Sequence, residues 1–214
     1  MFSQGSVILT FKGPWGVPIE ISSSLLFLGG AILLISQGDL QFALVVFASI
    51  VVSILLHELG HAWGCFVQGI PVRRVHLHGG GGWCEHGRSK TRTQEEFIVA
   101  LGPIVNLALW AGPSLVAAYV DLGPATWMVS YFTTINLLLA IFNLLPIQPL
   151  DGGKLLQLGL LRILAPQQAT KIAGGIGLAF AILWIPIMVA AFFYIGLILF
   201  FFPNFRIHWD MLRN

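Results

Sequence analysis

The chain has 214 residues, of which 57% are hydrophobic and only 9% are charged, and its mean hydropathy is +0.86. Soluble domains carry about 25% charged residues, so this composition excludes a water-soluble domain and predicts an integral membrane protein. The net charge of +2 is too small to indicate a nucleic-acid partner.

The first part of the chain alternates extended and apolar segments. Residues 6–21 predict two short extended runs around the turn-forming sequence GPWG, within an extended N-terminal segment that covers 1–21. An apolar span is predicted near 22–37, and a longer one over 41–68. Residues 69–94 are polar and include four consecutive glycines, which disfavour a helix, so a glycine-rich extended loop is expected there.

Further apolar spans are predicted at 96–119 and 126–146, and the second of them ends in LPIQPLDGG, where prolines and glycines stop a helix. The last apolar stretch, 172–202, is long for one span and short for two, and a turn near Trp184 and Pro186 would divide it. We therefore expect an all-α polytopic membrane protein with about six transmembrane helices, or five without that turn. A small membrane-associated β element is expected beside them.

The distribution of basic residues predicts the orientation in the membrane. Lys and Arg are concentrated in the loops after the second and fourth spans, and the loops after the first and third spans contain neither. The positive-inside rule places the two basic loops and the N-terminus in the cytoplasm. We expect a single membrane-embedded domain over 1–214, in a prokaryotic inner membrane, with no cleaved signal segment at its start.

The second span contains the sequence HELGH. His57 and His61 are four residues apart, so on a helix they lie on one face about one turn from each other, with Glu58 about 100° around the axis. Two imidazoles in this pattern bind a zinc ion, and the glutamate can reach a water molecule on it. An ionisable residue at membrane depth costs about 2.5–3.5 kcal/mol. Three in one turn therefore indicate a shared metal rather than a polar packing cluster.

A catalytic zinc site usually has three protein ligands. Asp151 is the best candidate for the third, because it follows the fourth span on the side where the histidines lie. A loop or helix-capping role is the alternative for Asp151. Cys65, four residues after His61, is another possible ligand.

Three motifs occur in order along the chain: HELGH at 57–61, ALGPIVNLAL at 100–109 and FNLLPIQPLDGG at 142–153. With these motifs the chain resembles the site-2 protease family of intramembrane zinc metalloproteases, in a compact form without a PDZ or CBS domain. One position departs from the family pattern, since relatives often have a second proline where Gln148 stands.

The resemblance implies that His57, His61 and Asp151 bind one Zn²⁺ and that Glu58 is the catalytic base. It also implies hydrolysis of a peptide bond within or near a transmembrane segment of another membrane protein. In the family this cleavage usually belongs to regulated intramembrane proteolysis that releases a cytoplasmic factor. The expected partners are a transmembrane substrate, the lipid bilayer and a regulatory protein of unknown identity. The active site is expected on the cytoplasmic side.

Two asparagines are candidates for a role near the reacting carbonyl. Asn106 and Asn143 could stabilise the oxyanion or hold the substrate backbone. Hydrogen bonding between helices is the alternative for both.

The extended segments are candidates for substrate binding. Segments 6–21 and 71–84 are expected to form a small sheet whose free edge captures an unwound substrate by strand addition, with Gly80 and Gly81 as candidate substrate contacts. A plain re-entrant loop is the alternative.

The three histidines of the glycine-rich loop are expected to be solvated, with a second metal site as the alternative. These are His76, His78 and His86.

A second hypothesis belongs to a different class, a membrane zinc transporter or metal-binding protein without proteolytic activity. Glu58 distinguishes the two, because a protease needs it for turnover and not for zinc binding. The intact motif argues against an inactive scaffold. A glutamate as the third ligand is less well supported, because the remaining glutamates lie in polar flanks or at span ends. These are Glu20, Glu85, Glu95 and Glu96.

Overall fold

The computed structural model describes residues 5–195 and 203–213. The helices in these ranges are α1 Ser24–Ile35, α2 Leu40–Val67, α3 Arg92–Tyr119, α4 Thr126–Asn143, α5 Asp151–Leu160, α6 Pro166–Ile195 and α7 Phe205–Arg213. The strands are β1 Val7–Lys12, β2 Pro18–Ser22, β3 Val72–His78 and β4 Gly81–His86.

The chain forms two compact units, Met1–Ala140 and Ile141–Asn214. The first contains the strands, α1 to α3 and most of α4, and the second contains α5 to α7. The expectation of a single domain stays a prediction.

Four helices in the described residues are long and apolar enough to cross a membrane. They are Leu40–Val67, Arg92–Tyr119, Gly123–Asn143 and Pro166–Ala190. The predicted all-α membrane fold is confirmed, but the described residues contain fewer such helices than the six, or five, that were predicted. The first predicted span is only the 12-residue helix α1, which at about 1.5 Å per residue is far shorter than a hydrocarbon core of about 30 Å.

The predicted turn in the last apolar stretch is wrong. Helix α6 continues without interruption through Trp184 and Pro186. A proline inside a helix removes one backbone hydrogen bond, whereas a turn within lipid would leave several backbone groups without partners. Continuing the helix is therefore less costly. The end of the predicted stretch, 196–202, lies outside the described residues.

The strands form one four-stranded sheet in the order β1-β2-β3-β4. The pairs β1–β2 and β3–β4 are antiparallel, and β2–β3 is parallel. Ile19 pairs with Val75 and Ile21 with Leu77, so the predicted association of segments 6–21 and 71–84 is confirmed. The glycine-rich loop is a β-hairpin in this sheet.

The two faces of the sheet have different character, because neighbouring residues of a strand point to opposite sides. Val75 and Leu77 are buried in one apolar cluster with Ala62 of α2. On the other face, Arg74 pairs with Glu85 of β4 at 2.8 Å and with a glutamate of β2 at 3.1 Å. Hydrogen bonds from Arg73 and Arg74 hold the pKa of Glu85 below its ordinary value. The apolar face therefore fixes the sheet against α2.

Helices α2 and α3 approach closely at the sequence GHAWG. A Cβ atom at Gly60 would lie 2.9 Å from the carbonyl oxygen of Leu101, and one at Gly64 would lie 3.1 Å from Cα of Ile98. Two glycines four residues apart lie on one helix face and allow backbones to approach in a membrane, where close packing drives association. This contact brings α3 against the histidine face of α2.

Replacing Gly60 with Ala is expected to lower the free energy of unfolding by about 1–3 kcal/mol, because the methyl group forces the two helix backbones apart. Thermal unfolding in detergent measures the change. Gly112→Ala in α3 is the matched control, since nothing lies within 4 Å of a Cβ atom there. Equal destabilisation by the two variants would contradict the close packing at Gly60.

Candidate metal centre

One face of α2 carries a stripe of small and polar residues. Ser53, His57, Gly60, His61 and Gly64 follow the period of about 3.6 residues per turn, and all are buried. This stripe faces α3, as the close approach at Gly60 shows. The histidines are thus held between two helices and not directed at lipid.

The hydrogen bonds of the two histidines determine which nitrogen of each ring can bind a metal. Nδ1 of His57 lies 2.6 Å from Oδ1 of Asn106, and Nδ1 of His61 lies 2.8 Å from the carbonyl oxygen of Ile98. Both oxygens are acceptors, so each Nδ1 carries the hydrogen. The lone pair of each ring is consequently on Nε2. An outer hydrogen bond of this kind is the usual support of a metal-binding histidine.

The two Nε2 atoms are 3.1 Å apart. Two ligands at a Zn–N distance of about 2.0–2.1 Å in a tetrahedral site are separated by about 3.3 Å. Two lone pairs facing each other at this distance repel, and a cation between them removes the repulsion. His57 and His61 therefore fit a zinc ion.

Gly102 of α3 leaves the space that the two rings need. A Cβ atom there would overlap the ring of His61 and would lie 2.6 Å from Nε2 of His57. Sequence reasoning did not assign this residue to the site. The feature of the sequence that could have indicated it is its place in the ALGPIVNLAL motif.

A buried amide network connects α2, α3 and α4. The amide nitrogen of Asn106 donates to Oδ1 of Asn136 at 2.9 Å and to the carbonyl oxygen of Ser53 at 3.4 Å. The amide nitrogen of Asn136 donates to Oγ of Ser53 at 2.8 Å. All three residues are buried. The network orients the Asn106 amide so that its oxygen faces His57.

These bonds bear on the role predicted for Asn106. Its oxygen is occupied by His57, and both amide hydrogens have acceptors. The geometry favours interhelical hydrogen bonding, one of the two roles considered, and leaves no donor for an oxyanion. Sequence reasoning missed Asn136 and Ser53. An isolated amide in α4 and a serine four residues before His57 were the available signals.

Glu58 lies on a different side of α2 from the histidine stripe. Its side chain is 6% exposed and lies under strand β4. A Cβ atom at Gly82 would be 2.8 Å from Cγ and 3.1 Å from Oε1 of Glu58. Gly82, which sequence reasoning did not select from the four-glycine run, is therefore the glycine that lies beside Glu58. Gly80 is exposed beside the hairpin turn and Gly81 begins β4.

Three other candidate residues of the first unit are buried or half buried among neighbouring side chains. His76 is 4% exposed, stacks on Trp83 with ring centroids 4.2 Å apart, and has Nδ1 3.2 Å from Oε2 of Glu20. The expectation of a solvated side chain is wrong for His76, because the sheet and Trp83 cover it. Burial also lowers the pKa of His78. Cys65 is fully buried in an apolar cluster with Ile98.

Asp151 and Asn143 lie at the two ends of the loop between α4 and α5. Asn143 is the last residue of α4, and Asp151 is the first residue of α5; both are half buried. Glycine follows Asp151, and a Cβ atom at Gly152 would overlap the carbonyl group of Leu144. The start of α5 is thus packed directly against its own preceding loop, which restricts where the Asp151 backbone can lie.

Comparisons with known proteins relate the chain to membrane metalloproteases. Residues 111–184 match the model of peptidase family M50. A Synechocystis protein described as a candidate zinc metalloprotease is 33% identical over 176 residues, which cover 80% of this chain and 45% of that protein. A zinc metalloprotease of Methanocaldococcus jannaschii is 30% identical over 193 residues, which cover 85% of this chain and 57% of that protein. The chain spans about half the length of these curated relatives.

A solved structure shares the fold. The site-2 protease from Methanocaldococcus jannaschii superposes with a TM-score of 0.68 at 24% identity, covering 96% of this chain and 92% of that chain. The sequence matches and the shared fold make the chain similar to zinc metalloproteases. The resemblance to the M50, or site-2 protease, family that the three motifs predicted is thus confirmed. The metal of this class is zinc.

Asn106→Leu is expected to weaken zinc binding by about 10–100-fold, because it removes the partner that orients His57. Competition with a chromogenic chelator in detergent measures the affinity. Thr133→Val is the control, since Thr133 is buried in α4 but donates only to the carbonyl oxygen of Ser130. Wild-type affinity in Asn106→Leu would show that His57 needs no such support.

Proposed function

We propose that this chain is an active intramembrane zinc endopeptidase that hydrolyses a peptide bond within or near a transmembrane segment of another membrane protein. The observation that carries the proposal is the pair of buried imidazoles with Nε2 atoms 3.1 Å apart and Glu58 beside them on the same helix. A transport site needs ligands that exchange, whereas these rings are fixed by outer hydrogen bonds.

Asp151 is the third zinc ligand in this proposal. A catalytic zinc site has three protein ligands and one open position, and His57 and His61 supply only two. The family motif FNLLPIQPLDGG supports Asp151, and the M50 match includes this residue. Its place at the first position of α5, next to a closely packed glycine, supports a carboxylate whose backbone is fixed.

Glu58 is the general base in this proposal. Bound zinc would supply an activated water molecule and polarise the scissile carbonyl group. The Glu58 carboxylate takes the proton of the attacking water and delivers it to the leaving amine. Its burial under β4 keeps bulk water away from this transfer. Asn143 is the candidate donor to the oxyanion or to the substrate backbone.

The substrate binds in an extended conformation in this proposal, because a helix hides its peptide bonds in internal hydrogen bonds. Strand β4 is at one edge of the described sheet, and an edge strand offers backbone groups to an added strand. The hairpin residues Gly80 and Gly81 lie at the end of this edge. Gly82 places the same strand beside Glu58, which supports capture next to the base.

The biological setting is also part of the proposal. The distribution of Lys and Arg supports a multi-pass protein of a prokaryotic inner membrane with the N-terminus and active site toward the cytoplasm. Cleavage there would release a cytoplasmic factor in regulated intramembrane proteolysis. A regulatory partner protein would control access of the substrate.

Glu58→Gln is expected to keep zinc and to lose at least about 100-fold in turnover, because general-base catalysis of this kind contributes about 10²–10⁴-fold. Zinc content is measured by elemental analysis of protein in detergent. Turnover is measured on an unstructured reporter polypeptide, whose peptide bonds need no unwinding. Full activity in Glu58→Gln would show that another group is the base.

Asp151→Ala is the companion variant for the metal. It should reduce zinc content, whereas Asp121→Ala, a change in the exposed loop between α3 and α4, should retain one zinc per chain. A wild-type protein that folds but contains no zinc would overturn the proposed enzyme. Zinc bound tightly with no proteolysis in the wild type, together with unchanged binding in Glu58→Gln, would favour the metal-binding alternative.

A further inference from the structure

Helix α7 places a histidine in the interior of the second unit. His208 is 0% exposed, although α7 also carries Arg206 and Asp210 on an exposed side. Gly177 of α6 makes room for it, since a Cβ atom at Gly177 would overlap the imidazole ring. The same hypothetical atom would lie 3.1 Å from the carbonyl oxygen of Pro146. The ring is therefore enclosed between α6 and the loop that leads to α5.

The ring makes one hydrogen bond to that loop. Nε2 of His208 accepts from the backbone N–H of Gln148 at 3.2 Å, so the ring hydrogen is on Nδ1. Burial lowers the pKa of His208, which keeps the ring neutral and Nε2 able to accept. Nδ1 is buried and has no hydrogen-bond partner among the residues that the structure describes. Such an atom destabilises a fold, so apolar packing alone would be served better by leucine.

Gln148 stands three residues before Asp151 in the loop. Turn hydrogen bonds order the backbone on both sides of it, from Ile147 N–H to the carbonyl oxygen of Leu145 and from Leu150 N–H to that of Ile147. The N–H of Gln148 is directed to His208 instead. A proline at this position would have no N–H to donate. The contact thus depends on two features of this chain, a non-proline residue at 148 and a histidine in α7.

We propose that His208 is a positioning residue for the metal centre: it fixes the loop around Gln148 and so presets the Asp151 carboxylate for zinc. This inference rests on the proposed function, in which Asp151 is a zinc ligand. The contact reaches the ligand through the loop backbone, and groups that support a ligand in this way typically contribute about 10-fold or more to metal affinity.

The test compares two substitutions of His208 in the full chain in detergent. His208→Leu removes the acceptor and keeps an apolar side chain, whereas His208→Gln places an oxygen near the position of Nε2. Zinc affinity is measured by chelator competition, and hydrogen exchange is measured in the peptide that covers 144–152. We expect His208→Leu to bind zinc about 10-fold more weakly and to exchange faster at Gln148. His208→Gln should restore both values.

A second pair of variants acts without changing the histidine. Gly177→Ala should displace the ring and reproduce the His208→Leu result. Gly175→Ala is the matched control, because its Cβ atom would lie 3.5 Å from Cδ2 of Leu212, an ordinary contact. Circular dichroism and the unfolding midpoint of the zinc-free protein confirm that each variant is folded. His208→Leu removes the ring and Gly177→Ala displaces it. If one of these two variants does not fold, the comparison uses the other.

The outcomes separate the inference from the function on which it rests. Wild-type zinc affinity and exchange in both His208→Leu and Gly177→Ala would overturn the positioning role, and so would a failure of His208→Gln to restore them. If Asp151→Ala binds zinc as tightly as wild type, the proposed ligand set is wrong and the inference falls with it. Weakened binding in Asp151→Ala with normal binding in His208→Leu would overturn the inference alone.

Discussion

The close approach of α2 and α3 is the constraint on which the histidine pair depends. No water completes a hydrogen bond inside lipid, so each imidazole N–H needs an acceptor from the protein. Because Gly60 admits the backbone of α3, Nδ1 of His61 reaches the carbonyl oxygen of Ile98. Because Gly102 has no side chain, both rings fit over α3. Helix packing and ligand orientation are therefore a single arrangement, and a change that loosens one loosens the other.

The direction of the Asn106 amide links the fourth helix to the proposed metal ligands. If this amide were reversed, its NH₂ group would face Nδ1 of His57, and the ring would carry its hydrogen on Nε2, where no metal could bind. Asn136 prevents the reversal because its oxygen accepts from the Asn106 nitrogen. Its own nitrogen is directed to Ser53 and to the carbonyl oxygen of Phe132. A residue of α4 thus determines the tautomer of a histidine in α2.

The sequence predicted what depends on local pattern and spacing. The four-residue interval in HELGH places two histidines on one helix face whatever surrounds them, and the GPWG turn and the run of four glycines predicted extended segments. Hydropathy, in contrast, counts apolar residues and does not determine where a helix ends. It therefore overestimated the length of α1, and it favoured a turn at Pro186, where helix α6 continues. The partners of Asn106 and His208 depend on which helices meet, and no spacing in the sequence encodes that.

The two sides of α2 separate the proposed metal ligands from the proposed base. The histidine stripe lies in a helix–helix contact, while Glu58 lies under the sheet. Gly82 pairs with Leu77 and Cys84 with Val75, so by strand alternation these residues of β4 face α2, and Trp83 faces away. The position nearest the carboxylate is therefore the one without a side chain. A larger residue at 82 would occupy the space that Glu58, as the proposed base, would need to move between water and a leaving amine. An extended peptide added to the β4 edge would continue the pleat of that strand, with its alternate residues on the side of Glu58.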